Sequence, residues 1–263
     1  AYDQVLRYVC IQNLPVVFAV DRAGLVGSDG ETHQGIFDYT YLSGIPNMHV
    51  CAPKNKWELS DMMKFAVGLG APIAVRYPRG AAYAGLKEHR APIELGKAEW
   101  IYREGEIALL AVGSMVKTAE QVRTLLKEKG HAVSILNARF VKPIDQEAVR
   151  EACRSHRVIV AMEENVACGG YGEKVLDCMN RWGYLDAHGD IPGDENGAIG
   201  ADTSTYENLH GNLSGSRNPG FQGNVFLGIS IPDAYVEHGN VELLKKEIGI
   251  DAESVAKRIE AVL

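Results

Sequence analysis

The chain has 263 residues, 46% of them hydrophobic and 23% charged, enough to bury a sizeable core in one large or two medium domains. A formal net charge of -7 argues against nucleic acid as the main partner, and no apolar run approaches the roughly 20 residues that cross a bilayer, so no membrane partner is expected. Five cysteines (Cys10, Cys51, Cys153, Cys168 and Cys178) form no C-x-x-C pair and read as reduced thiols, which points to a cytoplasmic protein.

The chain opens on "AYDQVLRYVCIQN" without an initiator Met, inside an amphipathic helix pattern that makes Val5, Val9 and Gln12 neighbours. That opening reads as a piece of a longer polypeptide. "VVFAV" (Val16–Val20) is a continuous β-branched run, the pattern of a strand covered on both faces. "MHVCAP" is the next strand, stopped by Pro53. Asn55, with Glu58 three residues on, is a capping arrangement for the helix "KWELSDMMKFAVGLG". "IAVRYP" is a third strand, and from Arg79 to Leu95 periodicity is lost, as in an interdomain linker.

A second unit of the same kind follows. "EIALLAVG" is a strand running into Ser114, the expected N-cap of a helix carrying Val116, Ala119, Val122 and Leu126. "HAVSILNA" and "RVIVAME" are strands on either side of a helix from Asp145 to His156. Gly169, Gly170 and Gly172 open the helix "EKVLDCMNRW", "NVFLGISI" is the last strand, and Val255, Ile259 and Val262 stripe the final helix. This alternation predicts an α/β fold in two domains, each with a largely parallel sheet and crossover helices. Asp186 to Asn224, rich in Gly, Asn, Ser and Asp, breaks the pattern and is expected to be a mobile surface insertion. Its acidic stretch "GDENGAIGAD" does not place oxygens at the alternate positions of an EF-hand loop, which argues against calcium.

The candidate chemistry lies in "VGSDGETHQGIFD" (Val26–Asp38), just after the carboxyl end of the first strand, where α/β sheets place ligands. His33 can donate, accept or move a proton near neutral pH, and Asp29, four residues earlier, is positioned to tune it if the segment turns. Arg22 begins this loop, and "RYPRG" (Arg76–Gly80) ends another strand of the same sheet. Arg76 and Arg79 can both direct a guanidinium toward the same mouth; the alternative for Arg76 is a structural ion pair, and Arg79, beside the turn glycine, is the better ligand for a phosphate. Two arginines with an Asp/His pair on one sheet edge point to a small, phosphorylated, proton-exchanging substrate. "EENVACGGYG" looks like a phosphate loop, but close backbone packing at a helix start explains a lone glycine cluster better. His238, in "VEHG", is expected on a closing turn.

Taken together, "AYDQV", "DRAGLVGSDGETHQGIFD", "IPNMHVCAP", "RYPRG", "NARFVKPID", "EENVACGGYG" and "PDAYVEHG" resemble the 1-deoxy-D-xylulose-5-phosphate synthases, thiamine-diphosphate enzymes of the transketolase superfamily. The similarity covers nearly the whole chain except Asp186–Asn224. It implies part of a pyrimidine-binding domain with a mostly parallel sheet over residues 1–90. It implies a transketolase C-terminal-type domain of three αβα layers over residues 91–263. It also implies condensation of pyruvate with glyceraldehyde 3-phosphate, with thiamine diphosphate and Mg2+ as cofactors and a homodimer as the assembly. In the resemblance Asp29 and His33 match the pair that hydrogen-bonds substrate and moves protons, and Arg22 and Arg79 match the phosphate-binding arginines. The family's metal and diphosphate ligands, and the glutamate that activates its cofactor, would lie upstream of Ala1. The chain alone is therefore expected to be inactive and not to bind the cofactor. A transketolase with another acceptor, or a non-catalytic assembly subunit retaining the fold, are the alternatives.

Overall fold

The computed structural model describes residues 1–27, 29–185 and 223–263, so most of the expected insertion lies outside the described residues. Two sheets form the frame. In the first, β1 (Val17–Val20), β3 (Ile73–Arg76) and β2 (His49–Cys51) run parallel in that order. β7 (Phe140–Lys142) closes the far edge, antiparallel to β2. The second sheet runs β4 (Glu99–Tyr102), β6 (Val133–Asn137), β5 (Ile107–Ala111), β8 (Val158–Val166), β9 (Val225–Ile231), parallel except for β4.

Every residue of β5, β6 and β8 is buried, as continuous apolar runs require when helices cover both sheet faces. Alternate side chains go to opposite layers. Ile107 and Leu109 pack with Val116, Val122 and Leu126 of α4 (Met115–Glu128) and with Val255 and Ile259 of α8 (Ala252–Glu260). Ala108 and Leu110 pack with Val149 and Cys153 of α5 (Gln146–Ser155) and with Val175 and Met179 of α6 (Tyr171–Arg181). The result is the expected three-layer αβα arrangement.

Of the two predicted caps, Asn55 forms and Ser114 does not, and Asp145 is a third cap, which the sequence marks only as the start of its helix. Asn55 Oδ1 accepts the Glu58 N–H at 2.9 Å at the start of α3 (Lys56–Gly68), and Asp145 caps α5 through the Ala148 N–H at 3.1 Å. Ser114 does not cap α4: its backbone is already helical and its hydroxyl is drawn to the buried Glu164 carboxylate. The first helix also differs from expectation. α1 (Tyr2–Gln4) passes into a π-helical turn, Val5–Cys10, which buries Cys10 and leaves Gln12 exposed, so the Val5/Val9/Gln12 spacing does not form one face. Asn224, assigned to the insertion by composition, is instead buried immediately before β9. It bridges Leu185, and its side-chain amide donates to Cys153 O at 2.9 Å and His156 O at 2.5 Å.

One polar cluster is buried between the two sheets. Lys54 Nζ lies 2.9 Å from Glu58 Oε1 and 2.6 Å from Glu99 Oε2; Arg139 lies 2.8 Å from Glu58 Oε1 and 3.1 Å from Glu99 Oε2. Asn137 Nδ2 donates to Glu58 Oε1 at 2.9 Å. Among the described residues no helix is long and apolar enough to cross a membrane.

Candidate functional site

Parallel pairing of β1 with β3, with Val20 opposite Arg76, places the loop after β1 beside the turn after β3. The loop is zipped at its base, Gly24 N–H to Gly35 O at 3.0 Å and Gly35 N–H to Arg22 O at 3.0 Å, which leaves the segment around Asp29–His33 as the projecting tip. Arg22 itself has φ +59°, a left-handed conformation that costs a non-glycine residue energy and turns the chain sharply off the sheet edge.

Asp29 gathers the two arginines. Its Oδ2 accepts from Arg22 Nε at 3.2 Å and from an Arg79 terminal nitrogen at 2.5 Å, while Arg22 also reaches Asp21 at 3.1 Å. These carboxylates hold the Arg22 guanidinium above its ordinary pKa, Asp29 most strongly. The structure thus brings Arg22 and Asp29 together with Arg79, which lies 50 positions beyond Asp29 in the sequence. His33 sits on the same exposed tip, its Nδ1 bonded with Thr32 Oγ1 at 2.8 Å, whereas the Asp29 carboxylate faces the arginines. Arg22 and Arg79 thus face the carboxylates of Asp21 and Asp29 at one sheet edge, with the His33 imidazole on the same tip.

Arg76 belongs to the scaffold. It is buried, donates to Asp38 Oδ2 at 2.9 Å, to Glu164 O at 2.8 Å and to Gly35 O, and lies 4.2 Å from the Tyr39 ring centroid. It therefore ties the loop to α2 (Asp38–Ser43) and β8. The glycine cluster is likewise internal. Glu163 accepts the Tyr171 N–H at 2.7 Å and the Gly172 N–H at 2.8 Å, so the protein's own carboxyl group fills the start of α6. A Cβ at Gly169 would lie 2.9 Å from Thr40 Cγ2, the close packing anticipated for this cluster.

Three contacts to the loop escaped the sequence. Glu164 Oε1 accepts the Leu25 N–H at 3.2 Å, with Lys245 Nζ 3.5 Å away. Gln34 Nε2 donates to Val236 O at 2.5 Å and reaches Glu237 O at 3.5 Å. Gly239 N–H donates to Gly27 O at 2.8 Å. His238 lies on a bend, and with Glu237 it lines a cleft of about 560 Å³ shared with Asp29, Gly30, Glu31 and Thr32. Only the expectation of a turn at His238 hinted at this face.

Residues 1–83 match the transketolase pyrimidine-binding domain family and residues 96–192 the transketolase C-terminal domain family. Among solved structures, a split-gene transketolase described as an inactive beta4 tetramer has a TM-score of 0.73 at 20% identity, covering 99% of this chain and 70% of that one. A transketolase from Campylobacter jejuni subsp. jejuni NCTC 11168 has a TM-score of 0.63 at 14% identity, covering 98% and 33%. The fold is thus that of the transketolases. Curated relatives are closer in sequence: the 1-deoxy-D-xylulose-5-phosphate synthase of Lachnoclostridium phytofermentans is 44% identical over 98% of this chain. Those of Clostridium tetani and Aquifex aeolicus are 40% and 36% identical over 98% and 100% of it. The chain spans 36% of the length of each of these three relatives. The chain belongs to the 1-deoxy-D-xylulose-5-phosphate synthase family of the transketolase superfamily.

Proposed function

We propose that the full-length protein condenses pyruvate with glyceraldehyde 3-phosphate to give 1-deoxy-D-xylulose 5-phosphate and CO2, feeding isoprenoid, thiamine and pyridoxal phosphate synthesis. The observation that carries the reading is the convergence of Arg22 and Arg79 on Asp29 at one sheet edge, in a chain whose relatives bear that synthase's name. On this reading the two guanidinium groups take the acceptor's phosphate, because their planar forks form charge-assisted pairs with phosphate oxygens. Asp29, released from the arginines, accepts a hydrogen bond from a substrate hydroxyl. His33 moves a proton at the acceptor's carbonyl oxygen.

Thiamine diphosphate and Mg2+ are the cofactors the family implies. Among the described residues no group of three or more His, Cys, Asp or Glu side chains is placed to hold a metal ion. On this reading the role of Arg22, Asp29, His33 and Arg79 is with the substrates. The homodimer rests on the family resemblance, and the cytoplasmic location on five free cysteines, four of them buried.

Assay of the full-length protein tests the reading: pyruvate and glyceraldehyde 3-phosphate should yield equimolar CO2 and ketose phosphate. Product only with a ketose phosphate donor would reassign it as a transketolase. No turnover with any donor–acceptor pair would make it an assembly subunit that keeps the fold.

A further inference from the structure

We propose that the loop bearing Asp29 and His33 is held in its working position from the second sheet, with Gln34 and Glu164 as positioning residues and Val236–Gly239 as the brace. The activity part of this inference rests on the synthase reading; the bracing itself does not.

Each limb of the loop has its own fastening. On the outgoing limb, the buried Glu164 carboxylate takes the Leu25 N–H, and it is itself held by the Ser114 hydroxyl and Lys245. Nearby, Gly24 has φ +72° and packs directly against the Glu164 side chain, leaving no room for a Cβ. At the tip, Gly27 O accepts the Gly239 N–H, and a Cβ on Gly27 would run into Gly239 O. On the returning limb, Gln34 donates to the Val236 and Glu237 carbonyls. All these partners come from β8, the start of α4, or the stretch from β9 through α7 (Val241–Glu247). The sheet that launches the loop adds its own ties, Arg76 of β3 to Gly35 O and Arg79 to Asp29, so the second sheet supplies the fastenings at Leu25, Gly27 and Gln34.

Gln34 shows that position, more than stability, is served. Its side chain is buried, and with Nε2 committed to two carbonyl acceptors, Oε1 has no hydrogen-bond partner among the described residues. An unpaired buried acceptor costs free energy that an apolar side chain of the same shape would avoid. What the amide provides is a fixed distance between the loop and residues 236–237, one residue from His33. Misplacing a reacting group by about 1 Å lowers the rate about a hundredfold, so a brace of this kind is felt in turnover.

The test uses the full-length protein with Gln34→Met, Gln34→Asn and Gln34→Glu, read by steady-state kinetics and by amide hydrogen exchange without substrates. Gln34→Met and the shorter Gln34→Asn should lower kcat by about ten- to a hundredfold and leave the KM for pyruvate within about twofold. Exchange should accelerate at residues 25–36 but not in β5 or β8. Gln34→Glu sets a carboxylate against two carbonyl oxygens, so its loss should be greatest at high pH and partly recover as the carboxyl regains a proton to donate. Wild-type kcat in all three variants would overturn the proposal. So would loop exchange that does not change, or exchange that rises equally throughout the chain, which would make Gln34 a general stability residue. Should the wild-type protein not turn over pyruvate with glyceraldehyde 3-phosphate, the synthase reading alone fails. The exchange profile then decides the brace.

Discussion

Asp29 holds two arginines at one oxygen, and on the proposed function its carboxylate stands where the acceptor's phosphate would bind. Arg79 is the half-exposed member and can turn to a ligand without unpacking anything. On the proposed function, Arg79→Ala in the full-length protein should raise the KM for glyceraldehyde 3-phosphate far more than that for pyruvate. A lost charge-assisted contact costs on the order of 1.5–3 kcal/mol, about ten- to a hundredfold in KM. Equal weakening for both substrates would assign Arg79 to the scaffold, as Arg76 is. At this scale the sequence was informative because Arg22 and Arg79 each follow a strand of one parallel sheet, and parallel strands put such ends on one edge. It could not show that Asp29 would face the arginines and His33 would bond with Thr32, since side-chain pairing in an irregular loop follows from its exact turns. Gln34 and Glu164 left no local signal at all: their partners Val236 and Leu25 stand 202 and 139 positions away.

Among the elements, the start of α6 shows how a buried charge can be built into a helix terminus. Burial pushes the Glu163 carboxyl from its ordinary 4.5 up to about 7, although two helix N–H groups, Lys174 and Arg76 pull it down. Its folded pKa is raised, so the stability it contributes is complete below about 4.5 and is lost as pH rises through about 7. A shift of that size corresponds to roughly 3 kcal/mol, since one pKa unit is about 1.4 kcal/mol. Urea unfolding of wild type and Glu163→Gln from pH 5 to 8 should therefore show the wild type's advantage shrinking with rising pH. Parallel pH profiles in the two proteins would place the titration elsewhere. The long buried strands β5, β6 and β8 and the capped helix α3 were readable because their signals are local: apolar runs and cap spacing. β4 and β7, with four and three residues, were not, because each is defined only by the strand it pairs with. Ser114 misled for the same reason, its hydroxyl answering a carboxylate 50 residues ahead.

The two sheets are joined by more than the linker from Arg79 to Leu95. β7 is contributed to the first sheet by the chain that builds the second, and the buried cluster of Lys54, Glu58, Glu99, Asn137 and Arg139 lies between them. Two cations face two carboxylates there, so the cluster is neutral and each carboxylate is shared by both cations. Burial raises the Glu99 pKa, but hydrogen bonds from Lys54 and the Ala91 N–H, with the charge of Arg139, outweigh it and hold the group below 4.5. Its contribution to stability is accordingly present above about 4.5 and is lost as pH falls through the lowered value. Lys54→Met removes one cation and leaves two buried carboxylates with a single partner, which costs about 3–5 kcal/mol when a buried pair is broken. Because the cluster spans both sheets, the wild-type protein should unfold in one calorimetric transition. Lys54→Met should split it in two, the first sheet melting earlier. A single transition with a loss under about 1 kcal/mol would show that β7 and the apolar contacts couple the sheets without the ion cluster.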